Sequence, residues 1–301
     1  MSHNEAHKEK RAAALSSVVA AIGLTSFKII VGVLTNSLGI LAEAAHSTLD
    51  LAAALMTFFA VRVADKPADR EHPFGHGKAE NLSALFETLL LLATSAWIIY
   101  EAIHRLSTPN VHVEISIWSF IVMGTSITVD ASRSRMLMKA AKKHNSQALE
   151  ADALHFSTDI WSSSVVILGL IGVLIATKIP GLFFLEKADA VAALGVAVIV
   201  IYISGELGIR TIQALLDSAP NGDPEKIEQV VEAIPGVTDC HAVRMRPSGA
   251  SWFIDLHVTM DGDKTVAEAH ALTEEIEAEI FKIVPHADVT IHVEPKEMSV
   301  R

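Results

Sequence analysis

His46-Ser47-Thr48-Leu49-Asp50 sits inside the apolar run Leu38 to Val63, and His155-Phe156-Ser157-Thr158-Asp159 sits inside the apolar run Ala148 to Thr177. On an α-helix, residues four apart share a face, about one turn above one another. Each stretch therefore offers an imidazole and a carboxylate to one spot. Two such helices facing each other would present two nitrogens and two carboxylates, a four-ligand set suited to tetrahedral Zn²⁺. Both runs are long enough to cross a bilayer, where an ionisable side chain is costly and marks a functional position. A plainer reading has each histidine bonding a neighbouring helix and each aspartate capping a polar patch. It serves for one pair, but two identical spacings in separate runs require it twice.

Half of the 301 residues are hydrophobic, which is more than an ordinary soluble protein carries. The net charge of −11 is unevenly placed. From Asp217 onward 17 acidic residues stand against 7 basic ones, while before it the numbers are 18 and 17. An apolar part of balanced charge is thus followed by an acidic part. No basic field exists to hold phosphates, which excludes nucleic acid as a partner. The single cysteine, Cys240, excludes an intrachain disulfide and a Cys-rich zinc ribbon. The polar start, residues 1–11, leads into an apolar run with no convincing cleavage site, so that run reads as a retained first span.

Six apolar runs follow: about Ala12–Leu34, Leu38–Val63, Ala79–Ile103, Ile115–Met138, Ala148–Thr177 and Ala188–Leu216. Each meets the roughly 20 residues needed to span a bilayer. Thr35-Asn36-Ser37, residues 64–78, residues 104–114, Lys139–Lys143 and residues 178–187 connect them. One set of flanks holds Lys8, Lys10, Arg11, Arg62, Lys66, Arg70, Lys78, Arg133, Arg135, Lys139, Lys142, Lys143 and Arg210, against Arg105, Lys178 and Lys187 on the other. The positive-inside rule then puts both termini in the cytoplasm of a multi-pass protein of the cytoplasmic (inner) membrane.

Beyond residue 216 the period changes. Pro224 to Ile234 reads as a helix ended by Pro235-Gly236. Val237 to Met245 and Trp252 to Met260 read as strands split by the turn Pro247-Ser248-Gly249, Val266 to Val284 as an amphipathic helix, and Asp288 to Val293 as a last strand. The expected fold is a membrane all-α six-helix transmembrane bundle, residues 1–216, followed by a cytosolic α+β domain of order αββαβ, residues 217–301. A domain of about 80 residues is marginal alone, and dimerisation would help it.

Two further clusters can ligate metal. Asp69, His72 and His76 lie close together in the loop 64–78, with glycines at 75 and 77 to let the backbone close around one ion. The plainer reading is an exposed polar turn. In the C-terminal domain, His241 and His257 fall on adjacent strands. His292 and Glu294 are two apart on the last strand and face one way, and His270 lies on the helix between. Each alone reads as a surface residue, whereas five in so small a domain read as a metal site. His3, His7, His104, His112, His144 and His286 read as solvated. Glu43, Glu150 and Asp152 read as vestibule residues near the first site, and Lys28 as snorkelling or paired with an acid. Lys78 opens the third run and Asp217 closes the sixth. They read either as an ion pair holding helices against the domain below or as two unrelated interface charges.

The stretch Ser37-Leu38-Gly39-Ile40-Leu41-Ala42-Glu43-Ala44-Ala45-His46-Ser47-Thr48-Leu49-Asp50, the loop Phe74-Gly75-His76-Gly77-Lys78-Ala79-Glu80, and Ala151-Asp152-Ala153-Leu154-His155 through Asp159 resemble the cation diffusion facilitator family, most closely its bacterial zinc and iron efflux branch. The resemblance covers nearly the whole chain, including a metallochaperone-like cytosolic domain. It implies a transport site at His46, Asp50, His155 and Asp159, a loop site at Asp69, His72 and His76, and a binuclear cytosolic site at His241, His257, His270, His292 and Glu294. It also implies a subunit-locking pair at Lys78 and Asp217. Some bacterial relatives carry Asp in place of His46, and the His form resembles the zinc-selective pattern of animal zinc transporters. Glu294 stands where Asp is more usual.

The expected activity is efflux of Zn²⁺, with Cd²⁺ as the near alternative, by proton antiport and alternating access in a homodimer, with no organic cofactor. Histidine must be neutral and aspartate ionised to hold the metal, so protons displace it. A mixed N/O set suits Zn²⁺ or Cd²⁺ better than softer or harder ions. Metal in the acidic domain would relieve its charge and act as a regulatory ion. A passive divalent-cation channel would need a continuous polar lining, and an exporter of Fe²⁺ or Mn²⁺ would favour more oxygen ligands. An intramembrane metallohydrolase would need an open zinc position and a His-Glu-x-x-His helix, which is absent from the sequence.

Overall fold

The computed structural model describes residues 3–107, 117–176, 185–219, 222–285 and 287–296. Two compact units divide the chain, Met1–Thr211 and Ile212–Arg301. Six long helices come first: α1 His3–Thr35, α2 Leu38–Ala64, α3 Lys78–Ser107, α4 Ile117–His144, α5 Gln147–Ala176 and α6 Leu185–Leu215. The sheet and the shorter helices follow: α7 Asp223–Glu232, β1 Val237–Ser248, β2 Ser251–Met260, α8 Val266–Ile283 and β3 Ala287–Pro295.

The same two-residue device turns the chain twice in the first unit. Asn36 and Asn145 adopt left-handed backbone conformations, φ 50° and 52°. The next residues donate their N–H groups five residues back, Ser37 to the Gly32 carbonyl and Ser146 to the Ala141 carbonyl, both at 3.1 Å. This closes the helix with the Schellman pattern that such a left-handed residue permits. The same serines then cap the following helix, with Ser37 Oγ accepting from Ile40 N–H and Ser146 Oγ from Leu149 N–H. The helices α1–α2 and α4–α5 thus form tight hairpins, and α2 also packs against α3 and α5. At Gly32 a Cβ would meet the Leu41 side chain at 2.8 Å, so the first hairpin needs a glycine there.

The outer surface of this unit is apolar: Val33, Phe59, Leu82, Phe86, Leu89 and Tyr202 are all exposed. Such a surface is stable against lipid rather than water. Among the described residues four helical segments are long and apolar enough to cross a membrane: Glu5–Thr35, Ile40–Ala64, Lys78–His104 and Val191–Leu215. The helix α4 falls short because its polar groups point inward, with Ser126, Asp130, Arg133 and Ser134 buried. Arg133 was expected on a water-facing flank. It is 3% exposed and lies inside the bundle.

Several other expectations need revision. The first helix takes in the polar start, because α1 runs from His3. His7, Lys10 and Arg11 all reach the Asp65 carboxylate, and Lys10 also donates to Glu80 at 2.6 Å. His144 is not solvated; its side chain is 5% exposed and pairs with Glu9 at 2.9 Å. Residues 108–116 and 177–184, and with them His112, Pro180 and Gly181, lie outside the described residues, as does His286.

The second unit is a three-stranded sheet in the order β1-β2-β3, with β1–β2 antiparallel and β2–β3 parallel. The hairpin turn is Gly249-Ala250, since Ser248 pairs with Ser251 and Pro247 is already in the strand opposite Trp252. Gly249 has φ 62°, as a two-residue hairpin requires. The core comes from Ile227 and Val231 of α7, from Cys240, Ile254, Leu256, Val258 and Met260 of the sheet, and from Leu272, Ile276 and Ile280 of α8. Each such buried side chain contributes about 1.5–3 kcal/mol. The alternate residues of β2, His257 among them, point away from this core.

Candidate metal centres

The two histidine–aspartate pairs meet. From α2 come His46 and Asp50, and from α5 His155 and Asp159. His155 Nε2 lies 3.2 Å from Asp50 Oδ1 and 3.7 Å from Asp159 Oδ2. His46 Nε2 lies 3.8 Å from both Asp50 Oδ1 and Asp159 Oδ1. Ligands around a tetrahedral ion with bonds of about 2.0–2.1 Å stand about 3.3–3.4 Å apart. The observed separations are close to that, so a small N/O-preferring cation fits with little movement.

The tetrad opens on one side. A cavity of about 790 Å³ is lined by His46, Asp50 and Asp159 together with Lys28, Glu43, Trp97, Glu101 and Asp130. It lies toward the start of α2 and the end of α3. Glu43 is a vestibule residue, as the sequence suggested. Lys28 is 4% exposed and donates to Ser47 Oγ at 2.8 Å and to Glu43 at 3.2 Å. Toward the other end, where the loop 65–77 leaves α2, the way is filled by Val61, Leu137, Leu149, Ala153 and Phe156. That end is tied by Lys10 to Asp65 and Glu80, by Ser146 to Glu80, and by Asn81 to Gln147.

Asp152 and Glu150 are not vestibule residues. Asp152 is fully buried and accepts from Ser17 Oγ at 3.2 Å, while Glu150 pairs with Arg210 at 2.8 Å. Arg133 donates to Ser17 Oγ at 3.1 Å and to Asp130 at 3.3 Å, and its guanidinium sits 3.4 Å from the Phe156 ring centre. Sequence reading missed Glu87, Asp130 and this use of Arg133. All three are ionisable groups inside apolar runs, and that alone was the available signal.

In the loop, Asp69 stands 3.5 Å from His72 Nδ1 and 3.4 Å from His76 Nε2, with the two rings 4.4 Å apart. The His72 backbone N–H, and after it that of Glu71, holds the Asp69 carboxyl below the usual carboxylate range. Gly75, φ 77°, donates its N–H to the His72 carbonyl, which folds the loop back. All three residues predicted here come together.

In the sheet, His241 pairs with His257 across β1–β2, and His257 pairs with His292 across β2–β3. One row of imidazoles therefore crosses the three strands, with ring centres 5.4 and 4.7 Å apart. Glu294 reaches all of them, at 3.0 Å from His257 Nδ1, 3.5 Å from His241 Nε2 and 3.8 Å from His292 Nε2. The register slips just after His241, where Ala242 takes φ 53°. Asp239, unremarked in the sequence, lies 2.7 Å from His241 Nδ1. The two-residue strand spacing that linked His292 to Glu294 would have found it. His270 does not join the cluster within one chain; it is exposed on α8 beside Glu274 at 3.6 Å. Lys78 begins α3, and Asp217 follows α6 with φ 59°.

Residues 14–216 match the family described as cation efflux transmembrane domain, and residues 219–296 the one described as cation efflux protein, cytoplasmic domain. The chain belongs to the cation efflux, or cation diffusion facilitator, family. It is a multi-pass membrane transporter with a small cytosolic α/β domain. The cation-efflux pump FieF of Yersinia enterocolitica is 34% identical over 288 residues, spanning 95% of this chain and 92% of that one. FieF of Yersinia pestis is 35% identical over 291 residues, with the same shares. A solved structure of the metal-bound C-terminal domain of the CzcD transporter from Thermotoga maritima is 40% identical, covers 24% of this chain and 86% of that one, and has a TM-score of 0.23.

Proposed function

We propose that this cation efflux transporter exports Zn²⁺, with Cd²⁺ as a close second substrate, across the cytoplasmic membrane in exchange for protons. The observation that carries the reading is the tetrad of His46, Asp50, His155 and Asp159, whose separations suit a tetrahedral N/O site. Six spans with both termini in the cytoplasm put the cavity on the outer side. Alternating access would then open the loop end to load the ion. Proton exchange follows from the ligands, because each must lose a proton to bind and can regain one on release.

The loop triad and the histidine row are the second and third metal sites of this reading, the latter as a sensor. In this reading His270, exposed on α8 and apart from the row, would be supplied by a second copy of the chain. The ion pair that the resemblance assigns to Lys78 and Asp217 belongs to the same reading. A passive channel is disfavoured by the packed side chains between the tetrad and the loop end.

Zinc uptake into liposomes holding the purified protein tests the proposal. Wild type should transport in proportion to an imposed pH gradient, and Asp50→Ala should be silent. Equal flux in the mutant refutes the site, and flux indifferent to pH refutes antiport.

A further inference from the structure

Beyond His155, on the side away from the cavity, the bundle buries two carboxylates that the tetrad does not use. Asp152 stands one turn before His155 on α5. Glu87 on α3 accepts a hydrogen bond from Thr57, which lies on α2 two turns beyond Asp50. Both carboxylates are fully buried. Glu87 Oε2 and Asp152 Oδ1 have no hydrogen-bond partner among the described residues, and neither does Nδ1 of His155, itself 2% exposed. The helices that carry them, α3 and α5, pack against one another. Arg133 is shared with Asp130 and reaches Asp152 through Ser17, while Glu87 is met by a neutral hydroxyl. Two buried carboxyl groups with so few partners are costly to keep ionised, and buried polar atoms without partners call for a ligand or a role.

We propose that Glu87 and Asp152 form a relay station for the divalent cation between the loop end and the tetrad. The proposal rests on the export reading above. An ion entering from the loop end must give up water before it meets Asp50 and His155. Two buried carboxylates on that side supply oxygens in its place, and the cation supplies the charge that they lack. From there it passes to the tetrad on the far side of His155. The pair lies on the filled side of the bundle, opposite the 790 Å³ cavity, so it serves loading and not release.

The test is zinc flux in liposomes with zinc supplied on the side of the 64–78 loop, alongside calorimetric zinc affinity in detergent for the component that Asp50→Ala removes. A wild type without flux refutes the export reading itself. With wild-type flux in place, Glu87→Gln and Asp152→Asn should each raise KM by about tenfold while kcat stays within about twofold. The calorimetric affinity of the tetrad should stay at the wild-type value, and Glu87→Asp should restore KM. A KM that does not move, or a calorimetric affinity that falls in step with flux, overturns the relay. If Glu87→Gln does not fold, Asp152→Asn decides by the same two readouts.

Discussion

In the proposed transport site, His46 is the residue on which metal choice would turn. It contributes one of two nitrogens to the tetrad and is the most exposed of the four, with 41% of its side chain accessible from the cavity. Replacing it by aspartate leaves one nitrogen and three carboxylates, a set that shifts preference toward oxygen-seeking ions. His46→Asp should therefore raise Mn²⁺ flux relative to Zn²⁺ by about tenfold, a difference of about 1.4 kcal/mol between the two ions. Competition between the metals in one liposome preparation measures it. Cys240 is the opposite case. Burial pushes its thiol up to about 12, and the nearby Glu228 and Glu232 add to the effect. A maleimide should leave the native protein unlabelled at neutral pH and label it fully in denaturant, as mass spectrometry would show. At this scale the four tetrad residues were legible from their spacing. Glu87 and Arg133 were not. A single charge in an apolar run has no periodic partner, and Arg133 was easily counted with the flanking lysines of the same helix.

Elements hold their shape through a few local devices, and two can be tested. The helix α8 begins with a capping box: Thr265 Oγ1 accepts from Glu268 N–H, and Glu268 accepts from Thr265 N–H at 2.8 Å. Thr265→Ala should cost about 1 kcal/mol, read as a lower melting temperature of the C-terminal unit. The Thr265 backbone N–H, then its hydroxyl, holds the Glu268 carboxyl below the usual range. A carboxyl lowered in the fold stabilises it above the ordinary value and loses that effect as pH falls through the lowered one. The deficit of Thr265→Ala should accordingly shrink on acidification. On β1, Ala242 carries φ 53°, a conformation that glycine adopts more cheaply. Ala242→Gly should stabilise the domain by up to about 1 kcal/mol, measured by denaturant midpoint. The order αββαβ was legible from the change of hydrophobic period. The turn was displaced because Pro247 reads as a breaker, yet in this sheet it sits on an edge strand, where a missing N–H is tolerated.

At the scale of the whole molecule, the chain gathers candidate metal ligands in three places with different access. The tetrad faces a cavity, the loop triad lies outside the helices, and the histidine row lies on the sheet face opposite the helices. A dimer that completes the row with His270 should form more tightly with zinc. Light scattering should show His270→Ala losing that zinc dependence while keeping wild-type flux at saturating zinc. The long helices were legible as apolar runs, yet four of them meet the span criterion among the described residues. The shortfall in α4 has a physical origin: a helix that faces polar neighbours inside a bundle need not be apolar all round. The same inward polarity hid its role from composition.

The histidine row has a mechanical consequence. β3 is the last strand and is held to the sheet by β2 alone. An ion seated on His241, His257, His292 and Glu294 would rivet three segments of chain, the outermost ligands 53 residues apart in sequence. Pulled by the chain's C-terminus, the metal-free strand can peel away one pair of bonds at a time. With the rivet in place, the whole row has to fail together.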